Sequence, residues 1–465
     1  MNNDGDVTNV QVLSNQLEKL LITWLQSALE IIEKNFDNLF VRIDGLESWY
    51  EADDKSLVPR PFMLTYKFGE LDRLIFTENP AWRSLEPYIA EDELFKKYSS
   101  RLVGSPYGVR RAFTIQELCK LLLPHLVQVD TGVKVDTEID AVTAVKKFLG
   151  ILASNTLDEI TIWPVGGVNV PQSVKLDEST EFRELSTEEK LKCLRFGMIQ
   201  GFDSGRIAPE HSRWYGLVHT EVHPKVFESM DAPPHDMTER WHRREMLLEH
   251  LLASLTIITG HRVSHAGGHS VAPSVRFGVS IPVGMTGVAT SGPNFGFLSA
   301  ATNPLLTAQQ IKELQSYWNL LKPSGLSTFQ KRLLNALHRY YFAQTRAKLE
   351  DMLVDLMIAA ESLFLDTDKN ELTYRLSLNA AIWAEGDTAK KMEILNLFKK
   401  AYGLRSSVVH GNSVSHASLQ EPLENVRLAM ASAIQKAFNF TINNPGAKPE
   451  WDRMIFEIAK PEFTP

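Results

Sequence analysis

Leu397-Phe398-Lys399-Lys400-Ala401-Tyr402-Gly403-Leu404-Arg405-Ser406-Ser407-Val408-Val409-His410-Gly411 reads as the last turns of a helix and its stop. The glycine supplies the left-handed backbone that commonly ends a helix. It places an arginine and a histidine, Arg405 and His410, at that end with four residues between them. On a straight helix, positions five apart differ by about 140° of rotation, so the two side chains do not share one face. Either the helix end carries His410 round, or a working site draws on groups from two chains.

Working outward, the whole C-terminal third carries strong helix signals. Asn303-Pro304 offers an N-cap followed by proline at the first helical position. Ser327-Thr328-Phe329-Gln330 is a capping box that opens a helix through Ala343. Lys348 to Leu365 carries a broad apolar stripe of Leu349, Met352, Leu353, Leu356, Met357, Ala360 and Leu363. Asn370 to Trp383 and Thr388 to about Val409 follow, and Ser418-Leu419-Gln420-Glu421 is a second capping box. Val426, Met430, Ala433, Ala437 and Phe438 then share one face, and Asn443-Asn444-Pro445-Gly446 ends the run. About five helices joined by short loops predict an all-α bundle over 303–445, with 446–465 as a tail.

Residues 1–302 read differently, as an α+β region. Leu13, Leu17, Leu20, Leu21, Trp24, Ala28 and Ile31 mark a first helix, and Thr137–Ser154 and Glu239–Thr259 mark two more. Glu159 to Val165 alternates as a short strand closed by Gly166-Gly167. Residues 47–120 are mixed, and 261–305 are rich in Gly, Ser, Pro and Val. The fold class predicted is therefore an α+β N-terminal region followed by an all-α helical bundle, mostly helical overall.

Bulk properties narrow the classes. With 465 residues two or three domains are expected, and 44% hydrophobic with 23% charged residues is a globular balance. Apolar runs are too short to span a bilayer, and Met1–Asp6 lacks the basic residues of a secretory signal. Two cysteines, Cys119 and Cys193, are no disulfide framework. These readings point to a cytoplasmic protein without membrane contact. Net charge is -8, yet residues 304–445 hold 16 Lys and Arg against 13 Asp and Glu, a local +3. That bias permits contact with a polyanion.

The segment Leu404–Gly411 resembles the signature of HEPN domains, in particular the Apea-like group found in prokaryotic defence and toxin proteins. The likeness extends to Asp351–Phe364, Leu372–Ala381 and Leu397–Ser406, and so covers roughly residues 326–440. It implies a HEPN helical bundle that dimerises with the motif at the interface, and an endoribonuclease with Arg405 and His410 as catalytic residues. Some family members carry a stronger polar residue after the arginine, where this chain has Ser406. The biology implied is antiviral defence or toxin activity by RNA cleavage. Residues 1–302 would be a sensor or regulatory module that takes an activating ligand or protein.

The chemistry fits those residue types. RNA is cut when its 2′-hydroxyl attacks the adjacent phosphorus, which needs a base, an acid and positive charge on the phosphate. An arginine fork holds two phosphate oxygens and stays charged. A histidine moves protons near neutral pH. No metal or other cofactor is required. Ser406 and Asn412 are polar neighbours that could orient phosphate or imidazole, and Glu361 and Asp355, on another helix, are candidate partners for Arg405.

Two alternatives stand beside this reading. One is a non-catalytic HEPN scaffold for dimerisation or RNA binding. The other is a metal-dependent hydrolase built on the histidines of 211–269. His219-Thr220-Glu221-Val222-His223 would put three ligand types on one face of a strand, whereas His261, His265 and His269 sit among glycines that argue against a helix.

Overall fold

A computed structural model describes residues 4–35, 39–52, 54–104, 112–123, 127–128, 134–135, 141–187, 189–190, 213–231, 238–265, 269–271, 303–321, 325–365 and 371–458 of the chain. In chain order the elements begin with α1 (Asp4–Lys34), β1 (Phe40–Glu51), β2 (Leu57–Tyr66) and α2 (Phe68–Asp72), which runs into a π-helical turn, Arg73–Thr77. Next come α3 (Pro80–Glu91), α4 (Glu93–Ser100), β3 (Leu102–Gly104), α5 (Ile115–Lys120), β4 (Val127–Gln128), β5 (Lys134–Val135), α6 (Ala141–Ala153) and β6 (Thr156–Gly166). β7 (Val174–Lys175), β8 (Thr180–Glu184), β9 (Tyr215–Pro224), β10 (Val226–Glu228), α7 (Thr238–Thr259), β11 (Ser264–His265) and β12 (His269–Val271) follow. The chain then continues as helices: α8 (Ala308–Leu320), α9 (Thr328–Thr345), α10 (Leu349–Phe364), α11 (Leu372–Trp383), α12 (Thr388–Val409), α13 (His416–Asn443) and α14 (Trp451–Ile458). Among the described residues, no helix is long and apolar enough to cross a membrane.

The chain divides into two compact units. The first comprises Met1–Pro164, Arg183–His242 and Ala266–Ala301. Its core is organised by α1, where Leu17, Leu21, Trp24, Leu25, Ala28 and Ile32 are buried at helical spacing. Trp24 stacks on Phe76 at 5.6 Å between ring centroids, and Phe76 meets Trp82 edge-on at 4.6 Å. The indole N–H of Trp24 donates to the Ile75 carbonyl at 3.0 Å, so the buried polar atom is satisfied. β1 and β2 form an antiparallel hairpin from Phe40↔Tyr66 to Glu51↔Leu57. β6 lies beside β9 and also pairs with β12. Gly216 of β9 lies where a side chain would force its neighbours to shift, since an added Cβ would lie 2.9 Å from the Trp163 carbonyl oxygen.

The second unit comprises Val165–Phe182, Arg243–His265 and Thr302–Pro465. The bundle of α8–α14 is thus joined by most of α7, by β7 and by the first half of β8 from earlier in the chain. Its core runs through Leu333, Leu337 and Tyr340 of α9, Leu353, Leu356, Met357 and Phe364 of α10, and Val426, Met430, Ile434 and Phe438 of α13. Tyr317 of α8 stacks on Phe438 at 3.8 Å. The capping box read at Ser327 is formed with Gln330. Two other helix starts differ from expectation. Asn303-Pro304 does not begin a helix; Pro304 accepts from the Asn169 N–H beside a parallel bridge of Asn169 with Leu305, and the capping box of Thr307 with Gln310 opens α8. Ser418 lies inside α13, because Ser415 caps it one turn earlier and accepts from the Ser418 N–H. The stretch after Gly446 is not structureless: Trp451 of α14 is buried against Phe364 and Trp383.

Candidate active site

The helix that carries the arginine and the histidine is defined at both ends. Asp387 caps the start of α12 through its carboxylate, which accepts from the Lys390 N–H at 2.9 Å. At the other end Gly411 has φ +77°, its N–H donates to Val408 O, and the Asn412 N–H donates to Ser407 O, each at 3.0 Å. This is the paired 5→2 and 6→1 pattern of a Schellman stop. His410 is the capping residue and its N–H still donates to Ser406 O at 3.0 Å. The helical path therefore holds to His410, and the rotation of about 140° between it and Arg405 stands.

That rotation separates the two side chains by environment. Ile394, Phe398, Ala401, Arg405 and Val408 follow one another at three- and four-residue steps, and all are buried or half-buried. Arg405 thus continues the inward stripe of α12, while His410, Gly411 and Asn412 are exposed and Ser406 is half-buried. The guanidinium lies 5.8 Å from the centre of the Tyr402 ring, within cation–π range. Its Nη2 stands 3.8 Å from Glu361 Oε1 of α10, both side chains being about a quarter exposed (26%). At that separation the pair is an attraction without a hydrogen bond, worth no more than about 1 kcal/mol. The Nε atom is buried and has no hydrogen-bond partner among the described residues. Burial raises the Tyr402 hydroxyl pKa, and the negative charge of Glu361 adds to the rise while Arg405 opposes it.

Asp355 is not part of this group. It is buried on α10 and accepts from Arg339 Nη1 at 3.0 Å and Arg346 Nε at 2.6 Å. The helix explains the split, since residues six apart on α10 point about 120° away from each other. Glu361 reaches α12 and Asp355 reaches the end of α9. Ser406 and Asn412 serve the helix stop through their backbones. The neighbouring Ser407 hydroxyl bonds back to Gly403 O at 3.2 Å.

Tyr402 was not singled out by sequence; its place three residues before Arg405, on the same face, is the signal that could have found it. The upstream histidines occupy mixed settings. Along β9 the Glu221 carboxylate stands between two rings, 3.7 Å from His219 Nε2 and 3.4 Å from His223 Nε2. Even so, no cluster of three or more His, Cys, Asp or Glu able to hold a metal occurs among the described residues. His261 follows α7 in a turn, with Nε2 2.8 Å from Gly167 O, and His265 and His269 lie on β11 and β12. His211 and Cys193 lie outside the described residues. Cys119 is a buried thiol whose pKa burial pushes up, and so an inert one.

Comparison of the chain with models of known families, with curated proteins and with solved structures finds no match. The functional reading accordingly stands on the motif and on the geometry around it.

Proposed function

We propose that the helical unit is a HEPN-type endoribonuclease that cuts RNA without a metal, and that it works as a homodimer. The observation that carries this is Arg405. It sits on the inward stripe of α12, near a carboxylate but without a hydrogen bond to it, and holds a buried Nε that has no partner among the described residues. A guanidinium with unused donors at the rim of a bundle is suited to receive phosphate oxygens. His410, exposed one turn further on, is suited to proton transfer.

In the reaction proposed, the 2′-hydroxyl loses its proton to a base and attacks the adjacent phosphorus. The bond to the 5′-oxygen breaks, and an acid returns a proton to that leaving oxygen. The products are a 2′,3′-cyclic phosphate and a 5′-hydroxyl. Arg405 holds the phosphoryl oxygens as negative charge builds on them. His410 of one or both chains supplies the proton steps. Because Arg405 and His410 diverge by about 140° on one helix, a second copy of α12 supplies the missing side of the cleft. The first unit would govern access to that cleft in answer to a ligand or protein, in antiviral defence or a toxin system.

The test is incubation of the purified protein with mixed RNA in EDTA, followed by analysis of the product ends and of the assembly state by light scattering. Cyclic-phosphate ends from a dimeric protein support the reading. An intact dimer that binds RNA and cuts none would favour the non-catalytic scaffold. Cleavage abolished by EDTA would exclude the metal-free mechanism.

A further inference from the structure

Between α11, the first half of α12 and α13, all within the second unit, lies a cavity of ≈ 510 Å³. It is separate from the arginine and histidine: its α12 side is formed by residues 390–398, while those two residues lie at the opposite end of the same helix. Its size falls in the range of small-molecule sites. The floor is apolar, made by Phe364, Leu397, Phe398 and Ala429 among others, and the large apolar side chain of Leu428 at its edge is 53% exposed.

The charged groups around the cavity are unequal. Lys390 is paired with Glu393 at 2.9 Å, so these two largely cancel. Lys436 is half-buried and has no carboxylate within 4.0 Å among the described residues. Its Nζ donates to the Trp383 carbonyl at 2.7 Å, one of the carbonyls left open at the end of α11, and lies 5.2 Å from the centre of the Trp383 ring. An ammonium has three donors, and that bond uses one. Burial lowers the Lys436 pKa; the charge of Glu385, which also lines the cavity, opposes that shift and the charge of Lys391 adds to it. The cavity thus joins an apolar floor to one ammonium group that makes no close carboxylate contact among the described residues, with Glu385 and the paired Glu393 also in its lining.

We propose that this cavity is a binding site for an amphipathic monoanion: a small molecule with an apolar chain or ring and a single carboxylate, the carboxylate on Lys436 and the body on the apolar floor. The site stands whether or not the RNA-cleavage reading holds. Its position along α12 gives a bound molecule direct contact with the helix that carries Arg405 and His410.

The test is calorimetric titration of the full-length protein with decanoate, and with decanol as an uncharged equivalent. Three outcomes are expected together. Decanoate binds saturably at one site per chain and decanol at least tenfold more weakly. Lys436→Met weakens decanoate by about tenfold to a hundredfold, the usual worth of a charge-assisted hydrogen bond. Ala429→Trp, which fills the space from the half-exposed side of α13, removes binding while the circular dichroism spectrum and melting temperature stay close to wild type. The melting temperature of Lys436→Met is measured as well, because that side chain also caps α11. Absence of saturable binding, equal affinity for decanol, or affinity untouched by Ala429→Trp would each overturn the proposal.

Discussion

Acidification should loosen the second unit through two histidines packed against each other, His250, which is buried, and His338, which is half-buried. His250 of α7 and His338 of α9 face each other at 5.0 Å between ring centroids, and the Nε2 atom of each is buried without a hydrogen-bond partner among the described residues. Burial, with the charge of His338 adding to it, lowers the His250 pKa to about 3; burial alone lowers that of His338 to about 4. The carboxylate of Glu249, 3.8 Å from His338 Nδ1, is itself pushed up by burial and by Glu245, so it is a weakened counter-charge. In the unfolded chain both imidazoles titrate near 6.5. The unfolded state therefore binds protons that the folded state refuses. Stability is full above pH 6.5 and is lost as pH falls from there toward 4 and 3. At pH 5 the linkage amounts to about 2 kcal/mol for each histidine.

Hydrogen exchange of peptides from α9, corrected for the intrinsic pH dependence of exchange, reads this unit apart from the first. Between pH 7.5 and 5 protection in the wild type should fall, and His250→Leu should recover about thirtyfold of that loss, the equivalent of about 2 kcal/mol. Comparison of the two proteins at the same pH cancels the carboxylates they share. A pH dependence identical in wild type and His250→Leu would refute the assignment of a neutral, packed pair.

Further outcomes follow from the same geometry. Gly411→Ala forces a side chain into the left-handed backbone at φ +77° and should lower stability by about 1 kcal/mol, read as a lower urea midpoint with exchange quickened in the last turn of α12. Asp355→Ala removes the acceptor shared by Arg339 and Arg346 and should cost about 2–3 kcal/mol in the same titration. Trp451→Ala empties the contact with Phe364 and Trp383 and should cost about 3 kcal/mol, with α14 becoming sensitive to protease.

The bundle was legible in the sequence because its signals are local. Apolar spacing drew α9 to α13, and Ser327 with Gln330 and Gly411 marked ends that the structure places where they were read. Local competition hid two starts: Thr307 with Gln310 outweighs Asn303-Pro304, and Ser415 takes the cap that Ser418 resembled. Of the candidate site, the divergence of Arg405 from His410 followed from helix geometry alone. The separation of Asp355 from Glu361 could have followed too, six residues being more than one and a half turns. What spacing along the chain cannot give is pairing at long range. His250 meets His338 across 88 positions, and the Lys436 ammonium finds the Trp383 carbonyl across 53. Nor does local spacing reveal that residues 165–182 and 243–265 join the helical unit, because that grouping is made by packing.

The proposed roles of Arg405 and His410 in metal-free RNA cleavage can be measured directly. The measurement is the initial rate of cleavage of a labelled RNA in EDTA by the wild type, Arg405→Ala, Arg405→Lys and His410→Ala, all checked for equal folding and assembly. The wild type should turn over, and Arg405→Ala and His410→Ala should each lose at least a hundredfold. Arg405→Lys should recover only part of it, because an ammonium lacks the fork that holds two oxygens. Rates in the two alanine variants equal to wild type would rule out a catalytic role for Arg405 and His410.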